Sequence, residues 1–190
     1  MKKGVLILGL AALLLSGRDV LPYPRELEQT FLVRVLGVDW TADGVALTAA
    51  GEEKGKLLAA DGSTAAESHR ALKRAGEEYV ALTHVTQILV GEGGELRAVL
   101  EGALKGKEVG QTATVWLCAQ GSARALMEAT GGGALRLTSI ELNAAEAEAR
   151  TVVDALAELE ERGEVTLPAL AVQGETMEFV GMKKWKEGKG

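Results

Sequence analysis

The stretch that decides the fold is FLVRVLGVDWTADGVALTAA, residues 31–50. Its first half is nearly all apolar, which is typical of a buried β-strand. The dipeptide Asp43-Gly44 is a hairpin turn signal, and the apolar residues that follow it predict a return strand. We therefore predict an antiparallel hairpin in the main sheet, with Leu32, Val45 and Leu47 among its buried positions.

Downstream of the hairpin, apolar periodicity predicts helices that alternate with strands. Residues 51–62 are rich in Gly, Lys and Glu and predict a loop, whereas Thr64 and Glu67 form the pattern of a helix capping box. The predicted helices are 65–80, 95–104, 123–127 and 144–161, and the further strands are 84–90, 112–119, 165–172 and 176–182. This order predicts an α/β protein of the α+β type, with a mixed β-sheet and helices packed on it in a single domain over 31–182. The basic segment 183–190 is predicted to be a flexible tail.

Composition limits both the core and the function. Of the 190 residues, 47% are apolar and 25% are charged, as in an ordinary globular protein, but only 4% are aromatic. The core must therefore be built from Leu, Val and Ala. The net charge of −6 argues against nucleic acid as a partner, because phosphate contacts need clustered Lys and Arg. One Cys and two His give no disulfide framework and little basis for a metal centre, so we expect no cofactor.

The N-terminus has the layout of a secretory signal. Two lysines precede the uncharged apolar run Gly4–Leu15, and Ser16-Gly17 follows it. The run is too short for a comfortable transmembrane helix, which needs ~20 apolar residues. We predict that the chain is exported, that residues 1–17 are a signal peptide or a short N-terminal anchor, and that residues 18–30 are a linker.

Side chains that could act as nucleophiles or bases are present, but not in a catalytic pattern. Ser68 and His69 are adjacent on a predicted helix, where neighbours point about 100° apart, so a solvated helix face is favoured over a nucleophile and its base. His84 opens a predicted strand, where a locally hydrogen-bonded histidine is the commoner situation. Cys118 lies in an apolar strand, on the side opposite to Leu117, and is expected to be buried and inert.

Two further patterns also favour structural roles. The segment Gly91–Gly94 lies where a phosphate loop would lie, but Glu92 and Glu95 would repel phosphate and no Lys-Ser/Thr pair follows. A sharp strand-to-helix turn explains these glycines. The acidic residues between Glu146 and Glu161 alternate with Ala and Leu at helical spacing and predict a solvated helix face. No group of residues meets the requirements of a catalytic site, and we predict that the protein is not an enzyme.

Several segments, taken in order, carry a family resemblance. After the apolar leader they are Arg25–Glu28, Leu36–Asp39, Ser63–Tyr79, Thr83–Glu92, Val115–Ala123, Leu167-Pro168 and Gln173–Gly181. Together they resemble the C subunit of the nutrient germinant receptors of spore-forming bacteria, the Ger(x)C family. Each piece is modest, and the specificity lies in their order and spacing over nearly the whole chain.

The resemblance implies a spore germination protein that is a non-enzymatic, surface-held subunit. Such a subunit works with two membrane-embedded partners, the A- and B-type subunits, at the outer face of the spore's inner membrane. Residues 31–182 would be its N-terminal domain, and family members continue into further domains downstream. Members carry a lipid-accepting Cys where this chain has Arg18. We therefore predict no lipidation, and attachment to the membrane surface through a retained Gly4–Leu15 segment or through the partner subunits.

An interaction surface is predicted around Tyr23, Phe179 and Trp185. These aromatic residues exceed the needs of a core that is otherwise so poor in aromatics. A subunit that binds protein should carry an exposed apolar patch, which is uncommon on free monomers.

Two alternatives stay open beside the receptor subunit. An exported small-ligand-binding, nutrient-sensing domain would need a concave pocket with a few converging polar groups. An exported hydrolase is favoured only if His84 lies at hydrogen-bond distance from Asp39 or Ser122.

Overall fold

A computed structural model describes six stretches of the chain, which are residues 30–51, 55–76, 78–105, 109–130, 148–174 and 176–186. From Phe31 onward the described residues form one compact unit. Four α-helices in the described stretches pack on an eight-stranded mixed β-sheet. The predicted fold class is therefore confirmed.

The elements have the following bounds. The strands are β1 (Thr30–Leu32), β2 (Val35–Thr41), β3 (Gly44–Ala50), β4 (Leu57–Gly62), β5 (Tyr79–Ala81), β6 (Gln87–Val90), β7 (Thr114–Cys118), β8 (Arg150–Thr151), β9 (Glu164–Gln173) and β10 (Thr176–Lys186). The helices are α1 (Ala65–Leu72), α2 (Leu96–Lys105), α3 (Ala123–Ala129) and α4 (Val152–Arg162), and a 3-10 turn covers Leu82–His84. The sheet order is β10-β9-β7-β6-β2-β3-β4, while β8 pairs with β7 and β1 pairs with β5.

The centre of the sheet is parallel and its margins are antiparallel. Strands β2, β6, β7 and β9 run in one direction, whereas β3, β4 and β10 run against their neighbours. The carboxyl ends of the parallel strands therefore meet at one edge of the sheet. In such sheets, ligands and reactive groups commonly lie outside this edge.

Each face of the sheet has its own hydrophobic cluster, because side chains alternate along a strand. The first-face cluster lies under α1, α2 and α4, and includes Leu36, Val38, Leu72, Leu100 and Leu159. The second-face cluster lies under α3, and includes Val35, Trp116, Cys118, Leu126 and Met127. Aliphatic side chains fill most of both clusters, as the composition predicts.

The predicted hairpin is confirmed, but two of the three side chains predicted to be buried in it are only half-buried. Strands β2 and β3 pair in antiparallel register down to Thr41 opposite Gly44. Leu47 is buried, but Leu32 and Val45 are only half-buried. Leu32 lies in the separate β1 pair, since the predicted first strand is interrupted before β2 begins. Val45 lies next to the turn, where fewer residues cover the sheet.

Two predicted boundaries in the first half of the chain are wrong. Residues 57–62 form β4 and not a loop, because they pair with β3 along its whole length, from Ala50 opposite Leu57 onward. Helix α1 ends at Leu72 and does not continue to Val80. Val80 instead lies in β5 and is buried in the first-face cluster. In both places, pairing with another strand outweighs the local sequence preference.

Two boundaries in the second half also differ. Helix α4 begins at Val152, where Thr151 and Asp154 form a complete capping box. Residues 183–186 are not a tail but the end of β10, because Trp185 packs on the first-face cluster and Lys184 pairs with Glu164. The structure describes nothing beyond Lys186.

The predicted leader and most of the linker, including Tyr23 and Arg18, lie outside the described residues. None of the helices in the described stretches is long and apolar enough to cross a membrane.

Candidate functional site

The carboxylate of Asp39 connects two distant segments at the carboxyl edge of the parallel strands. One oxygen accepts a hydrogen bond from the backbone N–H of Ala123 at 2.6 Å, and the other accepts from the N–H of Arg124 at 2.9 Å. These N–H groups open α3 and have no partner within the helix. The negative charge also suits the positive end of the helix dipole. Asp39 is only 6% exposed and caps a helix 84 residues further along the chain.

Gly91 leaves the space that this carboxylate occupies. A Cβ at Gly91 would lie 2.1 Å from Oδ1 of Asp39, and the Gly91 N–H donates to the carbonyl of Val38 at 2.8 Å. Gly94 is packed as tightly, since a Cβ there would lie 2.1 Å from the indole ring of Trp40. Close approach between strands and loops, and not a phosphate ligand, therefore accounts for both glycines. We call Asp39, Gly91, Ala123 and Arg124 the Asp39 junction.

The last hairpin is attached at the same edge. The ammonium group of Lys183 donates to the carbonyl of Ala119 at 2.8 Å and lies 3.9 Å from a carboxylate oxygen of Glu92. Ala119 directly follows β7, so Lys183 connects β10 to the carboxyl end of a central strand.

Cys118 lies beside this junction and is 2% exposed, which confirms its predicted burial. Burial raises the pKa of its thiol to about 12, and the negative charges of Asp39 and Glu92 add to the rise. Because the thiolate and not the thiol is the nucleophile, Cys118 is unreactive at neutral pH.

The predicted environment of Ser68 is wrong. Its side chain is fully buried, and its hydroxyl donates to the carbonyl of Val45 at 2.5 Å, with the carbonyl of Thr64 also within reach at 2.9 Å. Helix α1 packs on β3 along this side, so Ser68 faces the sheet and not solvent. The hydroxyl is thus held by the backbone.

The arrangement that the hydrolase alternative requires is not formed. His84 is exposed and precedes β6, whereas Asp39 lies near the carboxyl end of β2 and Ser122 follows the carboxyl end of β7, at the opposite edge of the sheet. The Ser122 hydroxyl instead accepts from the N–H of Ala125 and caps α3. Among the described residues, no three Asp, Glu, His or Cys side chains are grouped so that they could hold a metal ion.

Two residues of the predicted interaction surface point to opposite faces of the sheet. Phe179 packs on the second-face cluster, whereas Trp185 packs on the first-face cluster with its ring centroid 5.7 Å from that of Trp40. The register of β10 shifts between Phe179 and Gly181, which reverses the alternation of its side chains. A glycine inside a predicted strand is a signal for such a bulge. The most exposed large apolar side chain of this strand is that of Val180, at 51%.

Sequence reasoning missed a second feature, an apolar cavity of about 250 Å³ on the first face between α1 and α2. Its floor consists of Leu36 and Val38 from β2, Leu47 from β3 and Ile88 from β6. All four side chains also belong to the first-face cluster. The cavity is thus a cleft over the main core that opens partly to solvent, since Ala66 and Gly102 at its walls are exposed.

Small residues form the walls of this cavity. Helix α1 contributes Ala65 and Ala66, and α2 contributes Gly102 and Ala103. A Cβ at Gly102 would meet no atom within 4 Å, so no close contact requires glycine there. Glycine within a helix costs about 0.8–1.0 kcal/mol relative to alanine. His69, which the sequence analysis placed on a solvated face, is half-buried and is the one lining side chain with hydrogen-bonding atoms.

Comparisons of the chain with protein-family models, with curated proteins and with solved structures gave no match. The function proposed below therefore rests on the sequence resemblance and on the geometry of these two regions.

Proposed function

We propose that this chain is a spore germination protein, a non-enzymatic C-subunit-like component of a nutrient germinant receptor. It acts by protein interaction at the membrane surface, beside membrane-embedded A- and B-type subunits. The proposal extends the Ger(x)C resemblance from sequence segments to the contacts that those segments make.

The observation that carries the proposal is the convergence of three resembling segments at the Asp39 junction. Asp39 ends the first segment, Gly91 lies near the end of the second, and Ala123 ends the third. Their roles depend on one another, because the carboxylate needs both a glycine that leaves space and a helix N-terminus that donates to it. This interdependence supports the view that the segments belong to one fold-defining pattern and are not separate chance matches.

The chemistry of the junction supports a role in binding and not in turnover. Both oxygens of Asp39 accept backbone hydrogen bonds, the Cys118 thiol is protonated, and Lys183 donates to a backbone carbonyl. In many α/β enzymes the corresponding edge holds groups that meet the substrate. Here these groups hold the fold together.

The first test is genetic and is made in the native organism. Deleting the gene should slow germination in one set of nutrients, and crosslinking of the tagged full chain in spore membranes should recover two multi-span membrane proteins. Asp39→Ala should lower the amount of folded protein and the response together, whereas Asp61→Ala, an exposed change in β4, should leave both unchanged. Normal germination of the deletion strain in every nutrient would contradict the proposal.

A second test addresses the absence of catalysis. Replacement of the exposed imidazole in His84→Ala should leave the nutrient response intact, and so should Cys118→Ala in protein that still folds. Loss of the response in either variant, with normal folding and localisation, would show that the protein acts as an enzyme.

The cavity does not favour the small-ligand-binding, nutrient-sensing alternative. A nutrient such as an amino acid or a sugar would need several converging polar groups. The lining supplies hydrogen-bonding side-chain atoms only from His69, so the cavity does not match a charged or polyhydroxylated ligand.

A further inference from the structure

We propose that the domain faces an anionic lipid surface with the amino edge of its sheet, which is the edge where β2, β6 and β7 begin. The inference deepens the proposed function, because it rests on a role at the membrane surface and states which side of the molecule meets the lipid. Three observations support it, namely the cations at this edge, the carboxylates at the opposite edge and the distance between the two edges.

Helix α1 brings three cations to the amino edge. It begins after β4 at the carboxyl edge and ends before β5, which leads to the start of β6, so its last turn lies at the amino edge. Arg70 lies in that turn, and Lys73 and Arg74 follow the helix. Arg70 and Arg74 are exposed, and Lys73 is half-buried. Arg34, which is also half-buried, directly precedes β2 and adds a fourth cation.

Other charges at this edge largely cancel. Three carboxylates form ion pairs with further cations, and the pairs are Lys56–Glu78 at 2.9 Å, Lys105–Glu101 at 3.1 Å and Arg150–Glu158 at 2.8 Å. Glu148, which precedes β8, is exposed and offsets one of the four cations. The described part of the amino edge therefore carries a formal excess of positive charge.

The carboxyl edge carries the opposite charge. Its exposed carboxylates lie in the turn after β2, near the end of β4, in the first turn of α1 and between β6 and α2, and they are those of Asp43, Asp61, Glu67, Glu92 and Glu95. Lys183 lies 3.9 Å from Glu92 and offsets one of them. The net charge of −6 is thus unevenly distributed, and the amino edge is the one that suits an anionic surface.

The two edges are far enough apart to act separately on a membrane. Strand β2 has seven residues, and a strand rises about 3.3 Å per residue, so the edges lie roughly 23 Å apart. The Debye length is about 8 Å at physiological ionic strength. The carboxylates of the far edge are therefore screened when the amino edge meets the lipid, and the negative net charge does not prevent contact.

The course of the chain favours the same orientation. Strand β1 ends at Leu32 and β2 begins at Val35, so an attachment upstream of residue 30 would be joined to the domain at the amino edge. Each Lys or Arg near an anionic leaflet adds only a modest attraction. Four cations are thus suited to orient a domain that another attachment holds at the membrane, and not to capture it from solution.

The test measures which edge lies closer to the lipid. The full chain, in a Cys118→Ala background, carries one dye-labelled cysteine, introduced as Ala75→Cys beside the cations or as Ala42→Cys in the turn after β2, and both positions are exposed. An N-terminal histidine tag and a nickel-chelating lipid hold it on vesicles, so attachment does not depend on lipid charge. Nitroxide groups on lipid headgroups quench the dye at close range. The ratio of quenching at position 75 to that at position 42 should be several-fold greater on phosphatidylglycerol vesicles than on phosphatidylcholine vesicles.

Salt and charge reversal identify the cause. At 1 M salt, where the Debye length is about 3 Å, the ratio on phosphatidylglycerol should fall to its phosphatidylcholine value. Arg70→Glu combined with Arg74→Glu should lower it in the same way, with Arg70→Gln and Arg74→Gln as the milder pair if the reversal does not fold. The matched control, Asp43→Asn with Asp61→Asn at the far edge, should leave it unchanged.

Equal ratios on the two lipids, or a high ratio on phosphatidylglycerol that survives the charge changes in folded protein, would overturn the proposal. Because no receptor subunit is present in this measurement, either result would leave the receptor role to be decided by the deletion strain.

Discussion

The Asp39 junction and the α1–α2 cavity lie on opposite faces of one strand and are built in opposite ways. Val38 lines the floor of the cavity, while the next residue, Asp39, places its carboxylate against the start of α3. At the junction, polar atoms are paired, and glycine is required at position 91 because a Cβ would collide with Asp39. In the cavity, apolar atoms lack neighbours, and no close contact requires glycine at position 102. The comparison teaches that paired polar atoms hold distant segments together at the carboxyl edge, whereas the cleft under α1 and α2 leaves apolar surface of the core uncovered.

The largest effect is expected from Asp39→Ala. It removes two hydrogen bonds to a charged group, worth about 1.5–3 kcal/mol each, and leaves the buried N–H of Ala123 without its acceptor. We expect the free energy of unfolding, measured with urea, to fall by at least about 3 kcal/mol. The exposed control Asp61→Ala should change it by less than about 0.5 kcal/mol. If the two variants lost the same free energy of unfolding, the hydrogen bonds of Asp39 would not set the junction apart from the rest of the protein.

Gly91→Ala should destabilise the protein to a similar degree, because the new Cβ would displace the Asp39 carboxylate. At Gly110, where a Cβ would meet its nearest atoms at 3.8 Å, the same change should be tolerated. If the carboxylate is the cause, Gly91→Ala should cost much less in the Asp39→Ala background. Additive effects in this double-mutant cycle would assign the strain at Gly91 to another contact.

Cys118 should make stability fall at alkaline pH. The pKa of its thiol is about 12 in the folded protein, against 9.0 for an exposed thiol, so both states are protonated below pH 9. Between pH 9 and 12 the unfolded chain loses the proton first, which lowers the free energy of unfolding by about 1.4 kcal/mol per pH unit. Urea denaturation at pH 8 and 10.5 should show this loss, and Cys118→Ala should show less of it. Alkylation at pH 8 should require unfolding.

Gly102→Ala should stabilise the protein by up to about 1 kcal/mol, because alanine favours the helix and its Cβ meets nothing. Gly163→Ala is the matched control, since its Cβ also meets nothing but its φ of 67° is left-handed. That change should destabilise by about 1 kcal/mol. Thermal unfolding of the two variants would thus separate helix preference from backbone strain, and destabilisation by Gly102→Ala would argue that the helix needs glycine for packing.

The smallest effect is expected from Glu67. Hydrogen bonds from the side chain and then the backbone N–H of Ser63 lower the pKa of its carboxyl. The contribution to stability is present above the unfolded pKa near 4.5 and is lost as pH falls through the lowered folded value. The melting temperature of Glu67→Gln should therefore lie below that of the wild type at pH 7, and the difference should vanish at pH 2. For Glu160→Gln, which is exposed on α4, the difference in melting temperature from the wild type should be the same at pH 7 and at pH 2.

Local signals in the sequence predicted the features that depend on a few neighbouring residues. Thr64 caps α1 as predicted, since its hydroxyl accepts from the N–H of Glu67. The turn at Asp43-Gly44 closes the hairpin as predicted. Each of these features is set within about four residues, so composition and spacing suffice to predict it.

Features that depend on a pairing or packing partner in another element could not be predicted in this way. Strand β4 forms because β3 offers it an edge, and β10 continues past its predicted end because Trp185 finds cover near Trp40. Local preference for a loop or a tail is weak compared with the free energy of pairing and burial.

The sequence by itself determined the fold class, the hairpin and the caps, because alternating polarity and turn residues act over short distances. It also placed Asp39 and Gly91 next to strand ends and Cys118 inside a strand, but as unrelated features. Only the tertiary structure decided that a carboxylate and a helix start 84 residues apart would meet, and that the small residues of α1 and α2 would face each other across a space. The reason is physical, since hydrogen bonds and empty volume depend on the distance between atoms that the chain brings together only when it folds.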